Sequence, residues 1–172
     1  GRRRLLFTVA AARGYSGSRT AGKDFAMTEF WKAKSLQQLS EAEWESLCDG
    51  CARCCMVKLQ DEDTDEVVYT SIVCDLLDQQ RCRCTRYPQR HELVADCVEL
   101  SVEKIAEFHW LPKSCAYRTI AEGRDLAWWH PLVSGDAETV FTAGIAVRGK
   151  VMAEADVPLG HEEDMIVHWV EM

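Results

Sequence analysis

The sequence predicts an α+β domain, mainly helical with a few short strands: a small, cysteine-rich, metal-stabilised unit. Three observations carry that prediction. Residues 48 to 55, Cys-Asp-Gly-Cys-Ala-Arg-Cys-Cys, put four thiols into eight positions, more than packing alone would ask for. Capped helical stretches stand on either side of this cluster. Short runs of β-branched and aromatic residues, such as Val67-Val68-Tyr69-Thr70, supply the strands.

The spacing Cys-x-x-Cys-x-x-Cys-Cys brings Cys48, Cys51 and Cys54 within reach of one soft ion. Thiolates select zinc, copper(I) or iron-sulfur clusters over hard cations. Adjacent side chains diverge, so Cys54 and Cys55 do not both ligate one mononuclear ion without strain. One of the two faces a second site or packs.

A chain of 172 residues with 47% hydrophobic content can bury a core as one domain, with or without appendages. Its apolar runs all fall short of a membrane span. A formal charge of -8 argues against sequence-independent nucleic-acid binding, which needs a concentrated positive field. That charge is unevenly distributed: residues 1–26 hold six basic side chains and the single acid Asp24, which leaves the remainder at -13. The expectation is that residues 1–26 are a non-native or targeting-like basic leader, disordered and outside the fold, with Met27 the true start. Residues 27–172 then form a single cysteine-cluster domain. Nine cysteines cannot all pair within one chain. Without a convincing export signal the reading is a cytoplasmic protein whose thiols stay reduced and free for metal.

Taken in order, Phe30, Trp31, Leu36 and Leu39 form an apolar entry to Ser40-Glu41-Ala42-Glu43, a capping box that starts a short helix bearing Trp44 and Leu47. Asp49-Gly50 turns the chain and ends it, and Cys48 is thereby delivered from a rigid element. The run from Asp61 to Glu66 has the acidity of a calcium loop but lacks glycine at its sixth position and glutamate at its twelfth, so it reads as a solvated acidic loop. Ser101 is expected to cap a helix through Val102, Ile105, Ala106 and Phe108, and Pro112 to open another that Gly123 closes, with Cys115 in its first turn. Trp128-Trp129-His130-Pro131-Leu132 reads as a hydrophobic cover. Residues 145–151 and 166–170 read as strands.

From Cys74 to Cys97 the cysteines recur among Arg81, Arg83, Arg86 and Arg90. Four thiolates around zinc or a four-iron cluster leave a net charge near -2, which guanidinium groups would offset by hydrogen bonding to sulfur. Solvated surface arginines and nucleic-acid contact are the competing readings. His91, His109 and His130 are possible ligands, and Cys115 could serve as a nucleophile with His109 or His130 as base, although no cysteine-hydrolase signature surrounds it.

From about Thr28 onward the chain resembles the YcgN-like cysteine-cluster proteins of bacteria, a branch of a broader family of zinc- or iron-chelating domains. The resemblance rests on Phe30-Trp31, residues 42–51 running into Cys54-Cys55, the acidic run 61–66, Cys82-x-Cys84, Tyr87 with Arg90, Asp96-Cys97, residues 110–112, residues 115–118 and His130-Pro131-Leu132. It implies metal or cluster binding by Cys48, Cys51, Cys54, Cys55, Cys74, Cys84, Cys97 and Cys115, with Cys82 matching less securely. It implies no activity. An iron-sulfur cluster in some related proteins joined to methyltransferase function favours iron over zinc. The functional expectation is therefore a metal-binding module, zinc or iron-sulfur, whose partner is the metal rather than a membrane or nucleic acid. An iron-sulfur enzyme or electron carrier is the first alternative, and an exported disulfide-stabilised protein the second.

Overall fold

A computed structural model describes residues 2–5, 8–9 and 29–172. Strands β1 (Arg2–Leu5) and β2 (Thr8–Val9) come first, followed by the one-turn helix α1 (Phe30–Ala33) and by α2 (Glu41–Ser46). A 3-10 turn, Arg53–Cys55, leads directly into β3 (Met56–Asp61), which pairs antiparallel with β4 (Val67–Val73). Then come the small hairpin β5 (Leu77–Asp78) and β6 (Arg83–Cys84), helix α3 (Arg90–Leu93) and strand β7 (Cys97–Val98). Helices α4 (Ala116–Ala121), α5 (Pro131–Ser134) and α6 (Thr139–Thr142) precede the last strands, β8 (Met152–Ala153) and β9 (Ile166–Val167).

The sheet runs β1-β3-β4-β8, with β9 also on β4. The fold is α+β, but the helices are short: α2 and α4 reach six residues, whereas β4 has seven. β4 is buried over most of its length because it reads as a nearly continuous apolar run, as interior strands do. Where β3 and β4 slip out of register between Met56 and Lys58, the Thr70 hydroxyl donates to the Val57 carbonyl at 2.8 Å and accepts from the Ile72 N–H, supplying partners where the ladder is interrupted. The acidic run closes the β3–β4 hairpin. Asp61 Oδ1 accepts from the Asp63 and Thr64 N–H groups at 2.9 Å each, an Asx turn.

Of the leader, β1 runs antiparallel to β3, with Arg2 opposite Asp61, and β2 runs parallel to β7. The remaining leader residues, and Met27 as the expected start, lie outside the described residues.

Several expected elements differ. The helix expected from Ser101 is a turn followed by the 3-10 segment Ile105–Glu107. Helix α4 begins at Ala116, which makes Cys115 its N-cap rather than a first-turn residue; Gly123, at φ +71°, closes it as expected. Residues 145–151 are not a strand, because tertiary pairing overrides β propensity: the Val147 N–H donates to the Cys51 carbonyl at 3.0 Å and Gly149 turns the chain at φ +75°. The expected strand 166–170 shortens to β9. Trp129 is buried as expected, but Trp128 is 66% exposed and is no part of a cover.

Candidate metal centre

The Ser40–Glu43 capping box fixes the start of α2, with the Ser40 N–H donating to Glu43 Oε2 at 2.8 Å and the Glu43 N–H to Ser40 Oγ at 3.2 Å. Leu47, fully buried just past its end, anchors the exit, and Cys48 follows. Gly50, at φ +77°, then reverses the chain where a Cβ would come within 3.0 Å of the Arg83 guanidinium. Asp49 Oδ1 accepts from the Cys51 N–H at 2.9 Å, and Ala52, left-handed at φ +60°, turns the chain into the segment carrying Cys54 and Cys55. Cys115 arrives from the other side at the head of α4. Cys48, Cys51, Cys54 and Cys115 thus line one cavity of about 250 Å³, together with Asp49, Trp44, Tyr87 and Tyr117.

The other four expected ligands gather elsewhere. Cys55 enters β3, and Cys74 follows β4 with its N–H donating to the Cys55 carbonyl at 3.2 Å. Cys84 sits in β6 opposite Leu77, and Cys97 in β7. These four thiols line a second, apolar-walled cavity of about 10 Å³. Cys82 lines neither; its thiol points to the Gln79 carbonyl at 3.7 Å from a left-handed backbone.

None of the nine cysteines, all of them among the described residues, is joined in a disulfide. Burial pushes the Cys48 thiol up to about 12 and those of Cys74 and Cys115 to about 11. A hydrogen bond with Cys55, followed by burial, raises Cys54 well above the thiol range. The walls therefore hold neutral thiols, and a bound soft cation would displace their protons. Among the described residues no three cysteine, histidine or carboxylate side chains converge tightly enough to hold an ion as they stand, so ligation requires the thiols to close inward. Two observations fit the cavities to a thiophilic metal. Each presents four sulfur donors and no histidine. On the first, Asp49 Oδ2 is buried without a hydrogen-bond partner, a negative oxygen that calls for a cation or donor beside it.

Positive charge does gather here, though only partly where the arginine pattern suggested. Arg83 stands near Cys48 and Arg90 near Cys84, each drawing its thiol's pKa down against burial. Arg81 is instead 84% exposed beside Asp78, and Arg86 is exposed. The side chain the pattern did not single out is Lys58. It is completely buried, donates from Nζ to the carbonyls of Cys54 at 2.9 Å and Met56 at 2.7 Å, and lies over the rings of Tyr69 and Trp110. A lysine inside β3 next to the cluster was the available signal, but an exposed position explained it equally well. Asp49 was likewise read only as a turn residue.

Of the histidines considered as ligands, His130 is held by backbone at both nitrogens. His130 Nε2 donates to the Leu47 carbonyl at 2.9 Å while Nδ1 accepts from the Leu132 N–H at 3.1 Å, so neither nitrogen is free for metal or for a base beside Cys115. His91 Nδ1 meets the Cys97 carbonyl at 2.9 Å, and His109 lines neither cavity.

Comparison with known proteins gives the family. A family model described as "CxxCxxCC: Putative zinc- or iron-chelating domain" matches residues 47–116, which contain all nine cysteines. A UPF0260 protein of Rhodopseudomonas palustris strain TIE-1 is 55% identical over 81% of this chain and 83% of its own length. Those of Cellvibrio japonicus, at 54% over 84% of this chain and 99% of its own length, and Granulibacter bethesdensis, at 56% over 83% and 87%, are similar to the same extent. No solved structure matches the chain. At this identity and coverage, the chain belongs to the UPF0260 family, whose cysteine motif it carries.

Proposed function

We propose that the protein is a cysteine-rich metal-binding module that holds zinc or iron-sulfur through Cys48, Cys51, Cys54 and Cys115 and through Cys55, Cys74, Cys84 and Cys97, with no catalytic reaction of its own. The observation that carries this reading is the division of eight of the nine cysteines between two cavities, four to each. Bound metal would cross-link segments far apart in sequence, and in such sites binding free energy is folding free energy, about 10–16 kcal/mol for structural zinc in small peptides. Ligands of this kind need reduced thiols, which places the protein's work in a reducing compartment such as the cytoplasm.

The chain's own residues prepare the sites: Asp49 shapes the Cys48–Cys51 turn, and Lys58 and Arg83 bring positive charge toward sulfurs that turn anionic on binding. A second reading, an iron-sulfur enzyme or electron carrier, is supported by the partial exposure of Cys48, Cys54 and Cys115, since electron exchange needs a reachable cluster edge.

Purification without oxygen, followed by metal and acid-labile sulfide analysis and an absorbance spectrum, tests the reading. Tightly held zinc or iron is expected. Protein with neither metal, unchanged in thermal stability when zinc or iron is added, would overturn it. A reversible redox couple in the visible spectrum would favour the carrier over the module.

A further inference from the structure

The two cavities differ in size far more than two copies of one centre would. A tetrahedral ion with metal-sulfur bonds of about 2.3 Å fills the space between its four sulfurs, and even one water needs a void of roughly 10–15 Å³. The second cavity, at about 10 Å³, is of that order, whereas the first, at about 250 Å³ and walled also by Trp44, Tyr87, Leu100 and Pro112, leaves room beside its four sulfurs for more than a single ion.

Their walls set this difference. The Tyr117 hydroxyl donates to the Trp44 carbonyl at 2.7 Å and the two rings lie 4.6 Å apart, which props α4 against α2 and resists collapse of the first cavity. The second is drawn in by backbone: Cys74 bonds directly to Cys55, while Cys84 and Cys97 stand on paired strands. One peptide step, from Cys54 to Cys55, leads from one cavity to the other.

Resting on the metal-binding reading above, we infer that the two sites are unequal: Cys48, Cys51, Cys54 and Cys115 hold a polynuclear iron-sulfur cluster, and Cys55, Cys74, Cys84 and Cys97 hold a single ion, zinc or iron. Asp49, its Oδ2 unpartnered, belongs to the cluster side. Cys82 belongs to neither centre.

The test is metal and acid-labile sulfide analysis, with visible absorbance, of anaerobically purified wild-type protein and of C51S, C115S, C74S and C84S. Wild type is expected to contain iron with sulfide plus one ion beyond the cluster. C51S and C115S should lose the sulfide and the colour yet keep the single ion; C74S and C84S should lose that ion and keep the sulfide. An unchanged far-ultraviolet circular dichroism spectrum shows that a variant has folded, and for a variant that unfolds the wild-type composition decides. Two ions without sulfide, sulfide without a further ion, or loss of both centres from all four folded variants would overturn the inference while leaving metal binding intact. Absence of all metal from wild type would instead defeat the reading on which it rests.

Discussion

Lys58 shows how single side chains carry this interior. Burial draws its pKa down to about 8, against the pull of the Cys54 and Cys55 thiols, so at neutral pH it remains mostly charged. Its ammonium donates to two backbone carbonyls, and leaving a buried polar group without its partner costs about 1–3 kcal/mol. Lys58→Met keeps the bulk and removes the donors, so urea denaturation is expected to show a loss of roughly that size or more. His130 gives a pH signature. Burial holds its folded pKa below the ordinary 6.5, so between those two values the unfolded chain binds the proton more readily. Its contribution to stability is complete above about 6.5 and lost as pH falls through the folded value. A urea titration repeated down this range is expected to show a slope that His130→Gln lacks.

At the scale of elements, local signals were legible wherever the chain satisfies itself. The capping box at Ser40 is such a case, and Ser40→Ala is expected to cost about 1 kcal/mol in chemical denaturation. Gly50 is another: an alanine there meets both the left-handed backbone and the Arg83 guanidinium, so Gly50→Ala is expected to cost roughly 1–2 kcal/mol or more and to disturb the Cys48–Cys51 turn. Residues 145–151 were misread because Ile145, Val147 and Val151 have strand character, yet Val147 spends its N–H on Cys51 rather than on a neighbouring strand. The Ser101 helix was misread for a related reason. Its apolar residues Val102 and Ile105 pack beside Phe30, Trp31 and Leu47, and a single irregular turn is enough to bring them there.

At the scale of the whole molecule, buried side chains among the described residues form three clusters, around Val73 and Val147, around Leu47 and Tyr117, and around Trp110 and Leu111, with Cys48, Cys54 and Cys115 packed between them. The cysteines lie among them, with Cys51 and Cys55 in the first cluster and Cys48 and Cys115 packed against the second. The eight candidate ligands could be named from spacing and resemblance, and adjacency already argued against Cys54 and Cys55 sharing one ion; they line different cavities although their thiols stay within hydrogen-bonding reach. Their partition could not be, because Cys115 joins Cys48 only through the docking of α4 on α2, and Cys74 joins Cys55 only through the β3–β4 pairing. If metal ties these clusters together, a strong chelator is expected to lower the melting temperature sharply, and calorimetry before and after its addition measures this. X-ray absorption at the edge of the bound metal tests the central claim most directly. The account predicts a sulfur shell at about 2.3 Å, the distance of a metal thiolate; a shell of nitrogen and oxygen near 2.0–2.2 Å would contradict it.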